Sequence, residues 1–127
     1  MIVQKFLKSS FKDLLVYRKA FDLAMDIFTI SKSFPKEETY SLTSQIRHSS
    51  RSVCSNLAEG YRIRLYKAHF ISKISDSDME NSETQVWLDF SLACKYIDED
   101  TYGELTCKSE EICRLLHDML VNTDKYK

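Results

Sequence analysis

Apolar residues recur along most of the chain at intervals of three and four, the spacing that gathers one face of an α-helix. From Phe11 to Ser33 they form two stripes: Leu14, Tyr17, Phe21, Ala24 and Phe28, and Val16, Ala20, Leu23, Ile27 and Ile30. At about 100° per residue the stripes centre roughly 120° apart, which gives this helix two partners, one in a bundle core and one on a neighbouring helix or subunit. Phe34-Pro35 ends it, because proline disfavours helix in the residue before it. A second helix is expected from Lys36 or Glu38 to about Gly60, with Pro35 at its head and Glu37 and Glu38 complementing its dipole. Leu42, Ile46, Ser49, Val53 and Leu57 share one of its faces, and Gly60 is its expected stop. A third helix runs from Leu65 or Tyr66 to Ile97. Its seams are Phe70, Ile74, Ser77, Asn81, Thr84 and Leu88, and Met79, Glu83, Val86, Phe90, Ala93 and Ile97. Polar residues interrupt both seams near the middle, and the acidic turn Asp98 to Thr101 closes the helix. The fourth helix spans about Tyr102 to Val121, with Leu105, Ser109, Ile112, Leu116 and Met119 on one face.

Composition narrows this to an all-α fold. Two glycines and one proline in 127 residues are too few for a turn-rich β architecture. The length suits a single domain over residues 1–127, with a short N-terminal arm at 1–10 and a frayed tail at 122–127. No apolar run approaches the roughly 18 residues of a membrane span, so no membrane partner is expected. The N-terminus lacks the apolar core and cleavage pattern of a signal peptide. Cys54, Cys94, Cys107 and Cys113 form no C-x-x-C pair, and they read as reduced thiols in a cytoplasmic protein, mostly packed in the core.

Net charge is −1, but the charges are segregated. Residues 41–75 hold six cations against Glu59 alone, a net of +5, whereas residues 76–111 hold eleven acids against Lys95 and Lys108, a net of −9. A balanced total argues against indiscriminate nucleic-acid binding. The basic segment keeps RNA or DNA as a candidate partner, and the acidic half is equally suited to the basic half of a second subunit.

Candidate chemistry concentrates in three places. Gln45, Arg47, Asn56 and Glu59 on the second helix are expected to meet Ser77, Asn81, Glu83 and Thr84 on the third. A hydrogen-bonded network that fixes helix register is the favoured reading, and a polar catalytic pocket is the alternative. Tyr61, Arg62, Arg64, Tyr66 and Lys67 form the second cluster, at the junction of these helices. Its cations suit phosphates and its tyrosines suit unpaired bases, while a solvated helix end is the plainer reading. Trp87 and Phe90 are the third, an expected subunit contact because of the angle they occupy on the third helix. His48, His69 and His117 lie on separate segments with neither the H-E-x-x-H spacing nor Glu-x-x-His, so no metal or other cofactor is expected. Neither a nucleophile-elbow pattern nor a phosphate-cradling glycine loop is present.

The stretch QIRHSSRSVCSNLAEG, from Gln45 to Gly60, is preceded by Phe34-Pro35-x-Glu37 and followed by Arg62. Together with Asp13-Leu14, Glu83-Thr84-Gln85 and Tyr96-Ile97, it resembles the small four-helix bundle family encoded in intervening sequences of bacterial 23S ribosomal RNA genes. Accessory proteins of diversity-generating retroelements are among that family's relatives. The resemblance covers about Asp13 to Met119. It implies an up-and-down antiparallel four-helix bundle, a homopentameric, barrel-like assembly and no known catalytic activity. In the retroelement relatives it implies binding of nucleic acid and of a protein partner. The expected function is therefore a non-enzymatic nucleoprotein accessory, with a protein–protein scaffold as the alternative.

Overall fold

The computed structural model describes residues 10–126. Among them there are four α-helices and no strand: α1 (Leu15–Ser31), α2 (Leu42–Arg62), α3 (Lys67–Ala93) and α4 (Glu99–Val121). Cross-helix pairs run in opposite order along each neighbouring pair of helices. On α2 and α3 the pairs are Ser49 with Thr84 and Val53 with Ser77. Gln85 pairs with Ser109 and Asp78 with His117 between α3 and α4, and Asp26 with Lys108 and Lys19 with Glu111 between α1 and α4. Arg47 of α2 reaches Ser31 of α1, and Arg51 lies over Phe28. The neighbours are thus antiparallel, and α1 closes the bundle against α4. No described helix is long and apolar enough to cross a membrane.

The core is the set of faces that the periodicity marks. Val16, Ala20, Leu23 and Ile27 of α1 pack with Ile46, Val53 and Leu57 of α2. Phe70, Ile74 and Leu88 of α3 and Leu105, Ile112, Leu116 and Met119 of α4 complete it. Burial of such side chains contributes about 1.5–3 kcal/mol each, which is what holds helices of modest intrinsic propensity in place. Of the two α1 stripes, only the one through Ile27 is central. Phe21 on the other remains 49% exposed.

Helix boundaries depart from the expected ones for local reasons. Residues Phe11–Asp13 form a separate 3-10 turn capped by the Ser10 hydroxyl, and α1 proper begins after extended Leu14. Lys36–Glu38 is likewise a 3-10 turn, and α2 starts only at Leu42, whose N–H donates to the Glu38 carboxylate at 3.2 Å. Gly60 is not a stop. It lies buried inside α2, where an added Cβ would come within 3.0 Å of Ile74 Cδ1 and 3.1 Å of Lys73 Cβ. Its missing side chain lets α2 and α3 approach closely. Helix α3 ends at Ala93 rather than Ile97, because Lys95 takes a left-handed φ of 63°. The Lys95 and Tyr96 amides then donate back to Leu92 and Ser91 carbonyls, the hydrogen-bond pattern of a Schellman end. The acidic turn belongs to α4, whose first residue is Glu99 and whose cap is Asp98, accepting from the Thr101 N–H at 2.8 Å.

The tail expected to fray instead turns back as a 3-10 segment, Thr123–Tyr126. The Tyr126 ring stacks on Phe70 with centroids 6.0 Å apart, and its hydroxyl donates to Asp118. The N-terminal arm lies, apart from Ser10, outside the described residues. The cysteines also need correction as core residues. Cys94 and Cys107 are exposed, and Cys54 and Cys113 are half-buried.

Candidate functional site

The helical periodicity buries a chain of small polar side chains along the middle of the bundle. Ser49 accepts from the Thr84 hydroxyl at 2.9 Å, and Ser77 donates to the Val53 carbonyl at 2.8 Å. These bonds join α2 to α3. On the other side of α3, the Asn81 amide donates to the Ser109 carbonyl while the Ser109 hydroxyl donates to Asn81 Oδ1, both at 2.9 Å. Gln85 adds a donor to Ser109 Oγ at 3.0 Å. Every member that is fully buried has a partner, as buried polar groups require.

This network differs from the expected one. Gln45 and Glu59 lie on the exposed surface of α2. They are 14 residues apart on one helix, about 21 Å by helical rise, so they cannot converge on one pocket. Glu59 pairs at the rim with Lys73, 3.2 Å away, and Asn56 donates to the Ser52 carbonyl of its own helix. Glu83 is half-buried on α3. Arg47 does cross between helices, but to α1. It donates to Ser31 Oγ at 2.8 Å and lies over the Phe28 ring, 4.8 Å from its centroid. Of the named set Ser77, Asn81 and Thr84 sit in the buried network. Ser77 and Thr84 do bond to α2, but to Val53 and Ser49 rather than to Gln45, Arg47, Asn56 or Glu59, and the partner of Asn81 is on α4. Sequence spacing placed the polar residues on their helices but not the interhelical pairing, and it passed over Ser109 and Gln85. The gap of polar residues at Ser109 in the apolar face of α4 was the available signal.

The basic cluster lies at the α2–α3 turn. Arg62 and Lys67 are exposed, and Tyr66 is 62% exposed. The Arg64 guanidinium stacks on Tyr61, 3.9 Å from the ring centroid, and donates to the Tyr61 carbonyl at 2.8 Å. Tyr66 meets His69 edge-on. Arg64, Lys67 and Asp124 share a cleft of about 240 Å³ with Leu65 and Phe70, so the folded-back tail borders the cluster. Further along α2, Arg47 and Arg51 flank Phe28 together with Lys32 of the α1 end. At the geometry of an α-helix, Arg47, Arg51 and Arg62 fall within about 60° of one another over about 22 Å of axis. The basic surface is therefore a stripe along α2, longer than the turn alone.

Trp87 packs against the core with its indole N–H buried and unpartnered, and Phe90, 53% exposed, lies 5.9 Å from it between centroids. Met79 and Val86 on α3 are also exposed, at 68% and 46%.

The titratable groups separate by cause. Burial pushes the Cys54 thiol up to about 11. It also raises Cys113, with the Asp78 charge adding to the effect. Both thiols are thus held protonated at neutral pH, the opposite of an activated nucleophile. Among the described carboxylates, the resolved shifts of Glu38, Asp98 and Asp118 are downward, each from hydrogen bonds to the ionised form. All three histidines are exposed, and His117 Nε2 lies 3.7 Å from Asp78 Oδ2. Cys113 completes a group whose ligand atoms all fall within 4.8 Å of one another.

A family model described as 23S rRNA-intervening sequence protein matches residues 12–118. The chain is also similar to a crystal structure, at 1.70 Å resolution, of a protein of unknown function from the S23 ribosomal protein family of Bacteroides thetaiotaomicron. The two are 27% identical with a TM-score of 0.75, over 84% of this chain and 98% of that one. A comparison with curated proteins finds no match.

Proposed function

Because the chain belongs to the 23S rRNA-intervening sequence protein family, we propose that it is a non-enzymatic nucleoprotein accessory that binds nucleic acid along α2 and the α2–α3 turn. The observation that carries this reading is the surface made by Arg62, Arg64 and Lys67 beside Tyr61 and Tyr66, continued along α2 by Arg51 and Arg47. Arg64 is held flat by Tyr61, so its ordering cost is met before a phosphate arrives. Tyr66 offers an open ring for an unpaired base. Base stacking on such a ring contributes about 1–3 kcal/mol and reads little sequence, so structured RNA with single-stranded elements is the ligand class this surface suits best.

A second reading is an oligomeric scaffold, and the exposed apolar side chains favour it. Met79, Val86 and Phe90 follow one another along α3, and Phe21 and Met25 stand on α1. A homopentamer is the form the family resemblance suggests, and the angle of Trp87 and Phe90 on α3 favours them as its contact.

Equilibrium binding to structured ribosomal RNA fragments across a salt series separates the two. The Arg62→Glu/Arg64→Glu variant removes two phosphate contacts, so the slope of log K against log salt falls by about 1.4–1.8 and affinity drops at every salt concentration. Unchanged RNA binding together with a smaller assembly in that variant would instead favour the scaffold.

A further inference from the structure

We propose that Asp78, Cys113 and His117 form a binding site for a divalent transition-metal ion of the zinc class, held between α3 and α4. Cys113 and His117 are four residues apart on α4, one helical turn, so their side chains project from the same face. Asp78 meets them from α3. The three donors lie within 4.8 Å of one another, and the His117 Nε2 to Asp78 Oδ2 separation is 3.7 Å. Zinc bonds of about 2.0–2.3 Å at tetrahedral angles set ligand atoms about 3.3–3.7 Å apart, so small side-chain rotations complete the site.

Two further features point to a cation. Asp78 Oδ1 is buried and makes no hydrogen bond, although the Cys113 thiol donates to the same carboxylate, and a metal ion would satisfy the open oxygen. The donor set of one thiolate, one imidazole and one carboxylate is the borderline-soft mixture that zinc, cobalt and nickel prefer over magnesium or calcium. The thiolate and carboxylate together balance a divalent charge. Coordination takes the thiolate form, so binding releases the Cys113 thiol proton to solvent. His117 is 66% exposed at its side chain, so the site opens to water, which takes the fourth position. Asn81 lies three residues from Asp78 on α3 and Ser109 four from Cys113 on α4, and their mutual hydrogen bonds hold the two helices together about one turn from the ligands. Two helices joined this way gain a cross-link at the level where their apolar seam is interrupted.

Cobalt(II) titration of the full chain, freed of any affinity tag, tests the site. The expected result is one cobalt per chain, with visible bands of tetrahedral intensity and a near-ultraviolet thiolate-to-cobalt band, both displaced by zinc. Cys113→Ser removes the thiolate band. His117→Ala, at an exposed position that does not disturb packing, weakens binding by about tenfold or more. A Cys94→Ser/Cys107→Ser variant leaves both signals intact. The proposal is overturned if no thiolate band forms, if the band survives Cys113→Ser, if it disappears in the Cys94→Ser/Cys107→Ser variant, or if His117→Ala binds cobalt as tightly as the parent.

Discussion

The two faces of α3 handle buried polarity differently. Toward α2 the contact is close and small. Gly60 admits Ile74, and single hydroxyls at Ser49, Ser77 and Thr84 are satisfied by one another or by nearby carbonyls within a largely apolar seam. Toward α4 the polar groups are larger and mutually dependent. Asn81, Gln85 and Ser109 form a shared set, and at its outer edge Asp78 is left with an unsatisfied buried oxygen. Polar groups whose bonds close on themselves specify register. The buried hydroxyls facing α2 fit that description, and the open Asp78 oxygen at the edge of the α3–α4 set is where the proposed metal site begins.

Mutations sharpen the contrast. Asn81→Ala has the largest expected effect. It strips the Ser109 hydroxyl and carbonyl of their buried partner and leaves a gap, for a loss of about 3 kcal/mol in denaturant unfolding with an unchanged m-value. A loss below about 1 kcal/mol would mean that the two seams are energetically alike. Gly60→Val comes next. Backbone-near atoms of Lys73 and the Ile74 side chain leave no room for a branched Cβ, so overpacking costs about 1–3 kcal/mol and spreads α2 from α3. An unchanged melting temperature would show that this seam is looser than its geometry indicates. The smallest effect lies at the end of the α2–α3 seam, where the Tyr96 hydroxyl donates to Glu38 at 2.9 Å. That bond, and the one from the Leu42 N–H, lower the Glu38 pKa below its usual 4.5. The folded carboxyl is the stronger acid, so the contribution is complete above pH 4.5 and fades as pH falls through the lower folded value. Tyr96→Phe therefore reduces stability near neutrality and flattens its decline on acidification, measured as melting temperature from neutral pH into the acid range. An identical profile in the variant would remove the hydroxyl from the account.

Much of the fold was legible along the chain because it depends on one-dimensional spacing. The stripe Val16, Ala20, Leu23 and Ile27 is core, and so is the seam from Phe70 to Leu88, polar interruptions included. Boundaries were less legible. The reach of Glu38 to Leu42 moves the α2 start, and the left-handed turn at Lys95, which neither glycine nor asparagine advertises, moves the α3 end. The site was legible only as a list of residues. Arg62, Arg64, Lys67, Tyr61 and Tyr66 were visible as a cluster because they are adjacent in sequence. Their continuation to Arg51 and Arg47 needed the helix to run through Gly60.

What the sequence by itself determined is which residues share a helix face, and hence that four helices bury one core, because side-chain direction in a helix follows from residue number alone. Only the tertiary structure decided which polar faces meet. Asn81 turned out to serve Ser109 rather than the polar face of α2, and Asp78 came to lie against Cys113 and His117, 35 and 39 positions away in the numbering. Such pairings depend on how the helices rotate and approach. That is fixed by the packing of every core side chain at once, and by a glycine whose missing methylene sets how close two helices come.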